Sequence, residues 1–207
     1  MQYNQEFKHA ISLLPSKEKD KLILRLLKRD EILSEKLYFE LVSTDSADDV
    51  REDLENEMLR SMENFTKYNN SPKEIMRELR FNSGKITRHV KITKDKYGEI
   101  TLNTLMLNMI LEHEKEIFEH TYYDYKLLMY VITRTFKILL LIDKMHEDYQ
   151  IDFKEGIQRL GGNISSCHNL MKMAIKNNLD VNWLLQYDIP ENIQEIYKKN
   201  RADGLLR

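Results

Sequence analysis

The sequence predicts a mainly α protein, either a multi-helix bundle or a short array of helical hairpins, and three observations carry that prediction. Only six glycines and three prolines occur in 207 residues, and most of them stand between apolar runs. Gly and Pro are the strongest punctuators of local structure, so a chain that uses so few is built chiefly from helices. The apolar runs recur at i, i+3 and i+4, as one face of a helix does. Finally, Asn, Asp or Ser stands just ahead of several runs, where a helix N-cap belongs.

Asn4 caps a first helix carrying Phe7, Ile11 and Leu14, which Pro15 ends. Ser16 opens a second, in which Leu22 and Leu26, and Ile23 and Leu27, are four residues apart. Asp30 caps a third with Leu33, Leu37 and Leu41. Ser46 and Asp49 resemble a capping box ahead of an amphipathic helix bearing Ala47, Val50, Leu54, Met58, Met62 and Phe65. Ser71-Pro72-Lys73-Glu74 is the strongest start signal: serine as N-cap, proline at the first helical position, glutamate returning the capping bond. The pattern places the end of that helix near Asn82-Ser83-Gly84.

The stretch 85–103 fits two descriptions about equally. Ile86, Val90 and Ile92, then Lys94-Asp95-Lys96-Tyr97-Gly98, then Ile100 and Leu102 fit a small β-hairpin. They also fit helix and loop. From Thr104 a helix is expected to about His120, with Thr121 and Asp124 as a fresh cap. The next, Tyr122 to about Asp148, is the most apolar and reads as the central core helix, with Lys126, Tyr130, Arg134 and Lys137 as its polar face. Asp152 and Glu155 read as a capping box, Gly161-Gly162 as a stop, Asn163 as a cap and Pro190 as the start of the last helix.

The first three helices, joined by two or three residues, resemble the antiparallel helical hairpins of HEAT-type α-solenoids. The resemblance covers the first 45 to 80 residues and rests on spacing. The chain reads as one mostly helical domain, 1–207; the best place for a subdivision is near 84–103, separating helical hairpins (1–83) from a long-helix bundle (104–207).

Composition bounds the function. Charged residues at 32% beside 42% apolar residues describe a globular chain, and 32 basic against 34 acidic residues predict no bulk attraction to nucleic acid or an anionic membrane. The longest apolar stretch, Leu127 to Ile142, is short for a bilayer and is interrupted by Arg134 and Lys137. Asn4, Glu6 and His9 do not fit the apolar run of a signal peptide. One cysteine, Cys167, excludes an internal disulfide and multi-cysteine zinc sites, which points to the cytoplasm.

Four features could carry chemistry. His113, Glu116 and His120 recur at spacings that let imidazole and carboxylate ligands converge on a metal, although Met106, Ile110 and Ile117 share their stripe. Charge is segregated: residues 44–64 hold eight acids and two bases (net −6), residues 65–97 nine bases and three acids (net +6). Within the second block Lys73, Arg77 and Arg80 are followed by Lys85, Arg88 and Lys91, a basic stripe suited to phosphates or to an acidic helix. Cys167-His168 would serve as nucleophile and base only if adjacent helical residues could meet, and they point about 100° apart. Tyr122, Tyr123, Tyr125 and Tyr130 suit a core rim or a partner groove. Gly-rich phosphate loops, a nucleophile elbow and a dinucleotide fingerprint do not occur. The sequence therefore favours a non-enzymatic interaction or scaffold module whose partner is another protein, with no cofactor and no membrane. The alternatives are nucleic-acid binding through 73–96 and a metal-dependent activity at the His/Glu face.

Overall fold

The computed structural model describes residues 3–65, 67–68, 70–120 and 125–206, and every regular element among them is a helix. Residues Met1–Asp45 with Lys91–Thr93 cluster as one unit, and Ser46–Val90 with Lys94–Arg207 as a second.

The first unit holds α1 (Gln5–Leu13), α2 (Ser16–Leu27) and α3 (Glu31–Leu41). Asn4 and Asp30 cap α1 and α3 as their positions predict, accepting from Phe7 N (2.8 Å) and Leu33 N (3.0 Å). None of these helices contains a buried residue.

The second unit starts with α4 (Ala47–Phe65) and the part of α5 (Pro72–Thr93) up to Val90, and both expected capping boxes form. Ser46 and Asp49 exchange bonds of 2.7 and 3.1 Å, and Ser71 and Glu74 do the same with Pro72 at the first helical position. The next helices are α6 (Lys96–His113), α7 (Lys115–His120) and α8 (Tyr125–Ile142). After α9 (Glu147–Gln150) and a 3₁₀ turn, Ile151–Phe153, the chain continues as α10 (Lys154–Ser166), α11 (His168–Lys176), α12 (Asn182–Leu185) and α13 (Ile193–Ala202). Helix α6 packs against α4, α8 and α10, and α8 also meets α11 and α13. The core they enclose includes Met58, Leu79, Met106, Phe118, Phe136 and Leu160. Gly98, Ile100, Leu102–Thr104 and Met106–Leu111 of α6 are all buried, so packing covers most of its circumference rather than one narrow face.

The hairpin alternative for 85–103 is corrected: no strand occurs among the described residues. Ile75, Leu79, Asn82, Ser83, Ile86 and His89 form one inward face of α5, which runs nine residues beyond Gly84. Val90 lies four residues beyond Ile86, a helical interval that passes for strand alternation when read alone. The reversal uses no glycine. Lys94 takes the left-handed cap conformation (φ 61°), and Asp95 N-caps α6 by accepting from Gly98 N at 2.7 Å. Gly161, Gly162 and Asn163 likewise lie inside α10 rather than stopping one helix and capping another. The capping box at Asp152 and Glu155 does not form, because Asp152 is in the 3₁₀ turn and Phe153 precedes α10 without a side-chain cap. The helix expected over 104–120 is broken at Glu114, whose buried carboxylate accepts from Asn70 at 2.7 Å. Thr121, Tyr122, Tyr123 and Asp124 lie outside the described residues.

Two of the misread glycines carry opposite expectations. A Cβ at Gly84 would meet nothing within 4 Å, so Gly84→Ala should raise unfolding stability by about 0.5–1 kcal/mol through helix propensity. A Cβ at Gly161 would lie 2.8 Å from Leu184 Cβ and 3.0 Å from the backbone nitrogen of Leu185. Backbone cannot rotate aside, so Gly161→Ala should lose about 1–3 kcal/mol by parting α10 from α12. Urea unfolding of the two variants reads both signs, and a stabilised Gly161→Ala protein would contradict the close approach.

Candidate functional site

The basic residues singled out above all stand on one continuous helix. Lys73, Arg77, Arg80, Arg88 and Lys91 fall within about 80° of arc on α5, taking 100° per residue. Lys85 turns away and pairs with Glu57 of α4 at 2.9 Å. The acidic and basic blocks thus meet at that pair, while Lys73, Arg77 and Arg80 have no ion pair among the described residues. Phe81 flanks the row, 55% exposed, with the Lys85 ammonium 4.3 Å from its ring centre.

Beside α5 lies α8. The Tyr130 hydroxyl donates to the Leu79 carbonyl at 3.3 Å, and Arg134 Nη2 donates to Ser83 Oγ. Both partners advance by four residues, so the two helices run in the same direction and are joined here through side chains. Arg134 also donates to Asn103 Oδ1 of α6 (3.2 Å) and to the Tyr130 oxygen (3.0 Å). Its guanidinium is therefore fixed by three neutral oxygens from three helices. Lys137, one turn further on, has its pKa lowered by burial and by the charges of Arg134 and Arg201. The sequence did mark Lys126, Arg134 and Lys137 as one polar face; what it lacked was the neighbouring helix.

The metal candidates are divided by the break at Glu114. His113 ends α6 with Nδ1 2.8 Å from the Met109 carbonyl, while Glu116 and His120 belong to α7. Among the described residues no group of three His, Cys, Asp or Glu side chains is placed to hold a metal ion. Cys167 is buried at the α10–α11 junction, as a small apolar residue would be, and His168 beside it is exposed. Tyr125 is 43% exposed, with the Lys176 ammonium 5.3 Å from its ring centre.

Sequence spacing gave no signal for a buried ionic knot at the start of α6. Asp95 Oδ2 receives Arg51 Nη1 at 2.9 Å and lies 3.1 Å from His89 Nε2. Burial alone would raise the Asp95 carboxyl, but the bonds from His89 and Gly98 and the Arg51 charge hold it below its ordinary value. Arg51 also lies over the Tyr97 ring, 4.9 Å from its centre. A second network joins α6 to α10: Arg159 clamps the Glu112 carboxylate, and Asn163 donates to Glu112 (3.1 Å) and Asn108 (3.0 Å). The Arg159 hydrogen bond, chiefly, holds Glu112 below the usual carboxylate range. The adjoining cleft, about 230 Å³, is lined by Thr101, Thr104, Asn108, Asp152, Glu155 and Arg159. Tyr187 hydrogen-bonds to the Gln150 carbonyl, and burial with the Asp152 charge pushes its phenol up to about 12. These groups tie helices together; none pairs a nucleophile with a base.

Among the described residues no helix is long and apolar enough to cross a membrane. Compared with protein-family models, with curated proteins and with solved structures, the chain matches none.

Proposed function

We propose that the protein is an interaction module and that α1, α2 and α3 dock another protein. One observation carries the reading: these helices bury no residue, while Phe7, Ile11, Ile23, Leu26, Leu33 and Leu41 are exposed. Phe7 with Ile11, and Leu33 with Leu41, lie on stripes of four-residue spacing, the face a helix ordinarily turns to a core. Exposed apolar surface of this kind marks interaction sites in soluble proteins. The likeness of the three helices to HEAT-type hairpins supports the same reading, since such arrays present helix faces to their partners.

Tagged full-length chain should retain a protein partner from its native cell extract. Ile23→Asp with Leu26→Asp should abolish that retention. Both side chains are about half exposed, so thermal stability should change by no more than about 0.5 kcal/mol. Undiminished capture of the same partner by this double variant would refute the assignment to α1–α3.

A further inference from the structure

We propose that the pair α5 and α8 binds the phosphodiester backbone of a single-stranded nucleic acid, an activity separate from protein docking by α1–α3. Three cations stand on each helix: Lys73, Arg77 and Arg80 on α5, and Lys126, Arg134 and Lys137 on α8. None of the six has an ion pair among the described residues. Carboxylates that could answer them are missing or engaged. Residues 125–142 contain no Asp or Glu. The two acids of α5 are bonded elsewhere, Glu74 to the Ser71 cap, with the Arg77 charge acting on it only weakly, and Glu78 to Ser61 (3.2 Å) and Asn82 (2.8 Å).

Arg134 is the anchor. A half-buried guanidinium normally finds a carboxylate, because a desolvated charge without a counterion is costly. Here only neutral oxygens orient it, and three hydrogen bonds leave two of its five donors uncommitted. Lys137 beside it carries the cost of the same uncompensated field, its ammonium disfavoured by burial and by two neighbouring guanidiniums. An arriving anion relieves both, and phosphate oxygens suit a fixed guanidinium.

The arrangement favours a strand over a small anion. At 1.5 Å per residue the α8 cations extend over about 16 Å, a length that a few nucleotides of a single strand can follow. Exposed Phe81 beside Arg77 and Arg80 offers a ring on which a base can stack. The chain's near-neutral total does not oppose this, because the acids are concentrated in 44–64.

The test uses purified full-length chain and fluorescent oligouridylate and oligothymidylate of about 15 nucleotides, with anisotropy read from about 50 to about 200 mM salt. Binding should weaken with a log–log slope near −4, about 0.7 for each of six phosphate contacts. Lys73→Gln/Arg77→Gln/Arg80→Gln, on an exposed face, should weaken binding at least tenfold and reduce the slope by about 2. Arg134→Gln/Lys137→Gln should do the same by about 1.4, with helicity checked by circular dichroism. A difference between the two oligonucleotides tells RNA from DNA as the source. Failure of both to bind at low salt overturns the proposal. So does binding that the exposed triple variant leaves unchanged, or tighter binding of polyglutamate or of phosphatidylserine vesicles.

Discussion

Asp95→Ala should cost the chain about 3–5 kcal/mol, the range for removing one partner of a buried ion pair. The carboxylate does three jobs at once: it accepts the α6 N-terminal amide of Gly98, pairs with Arg51 and lies against His89. The side chains of Asp95 and His89 are 5% and 2% exposed, so water replaces little of what is lost. A chain of this size should melt roughly 10 °C lower, read by calorimetry. The same group sets an acid limit. Its pKa is lowered on folding, so its contribution is complete above the ordinary Asp value near 3.8 and disappears as pH falls through the lower folded value. Stability of the parent protein should fall more steeply below about pH 4 than that of Asp95→Ala. Parallel acid branches for the two proteins would show that the knot contributes nothing.

Asn177→Leu should lose about 1–3 kcal/mol, the cost of leaving a buried backbone donor, Leu206 N, without its partner. Asn177 is 1% exposed and joins three segments. Its Oδ1 accepts from Leu206 N (2.9 Å), its Nδ2 donates to the Met173 carbonyl (2.9 Å), and its own carbonyl accepts from Asn200 Nδ2 (3.1 Å). Leucine fills the volume and keeps the backbone carbonyl that Asn200 uses and the backbone N–H that bonds the Met173 carbonyl, but it leaves Leu206 N without its acceptor. Leu206 is 2% exposed and held at φ 59°, so the chain end should come loose first. Amide exchange should rise at Leu206 before it rises in α8; unchanged exchange there would exclude this role for Asn177.

Local rules read well wherever the determinant lies within four residues. Asn4, Asp30, Ser46 with Asp49, and Ser71 with Glu74 all cap the helices their spacing assigns to them. Legibility failed where tertiary context decided. Gly84 lies mid-helix because α5 has a continuous buried face on its other side, and Gly161 because a neighbouring helix needs the room. Helix α6 is buried over most of its circumference, so its apolar residues show no single stripe. The same limit applied to the sites. The α5 cations could be read as a row, since they share one helix, but the bond that brings Arg134 to that helix joins residues 51 positions apart. Arg51, His89 and Asp95 are likewise brought together across 44 positions, which no local pattern encodes.

Because α1, α2 and α3 bury no residue, the docking proposed for them would couple their folding to partner concentration by mass action. A partner present at a hundred times its dissociation constant adds about 2.7 kcal/mol to whatever it covers, a large share of what so short a segment can have. The N-terminal helices would then be a gauge of occupancy. On the proposed docking, they would open and be trimmed by proteases when the partner is scarce and persist when it is abundant. Were that docking to hold, turnover of these helices would report how much partner the cell holds.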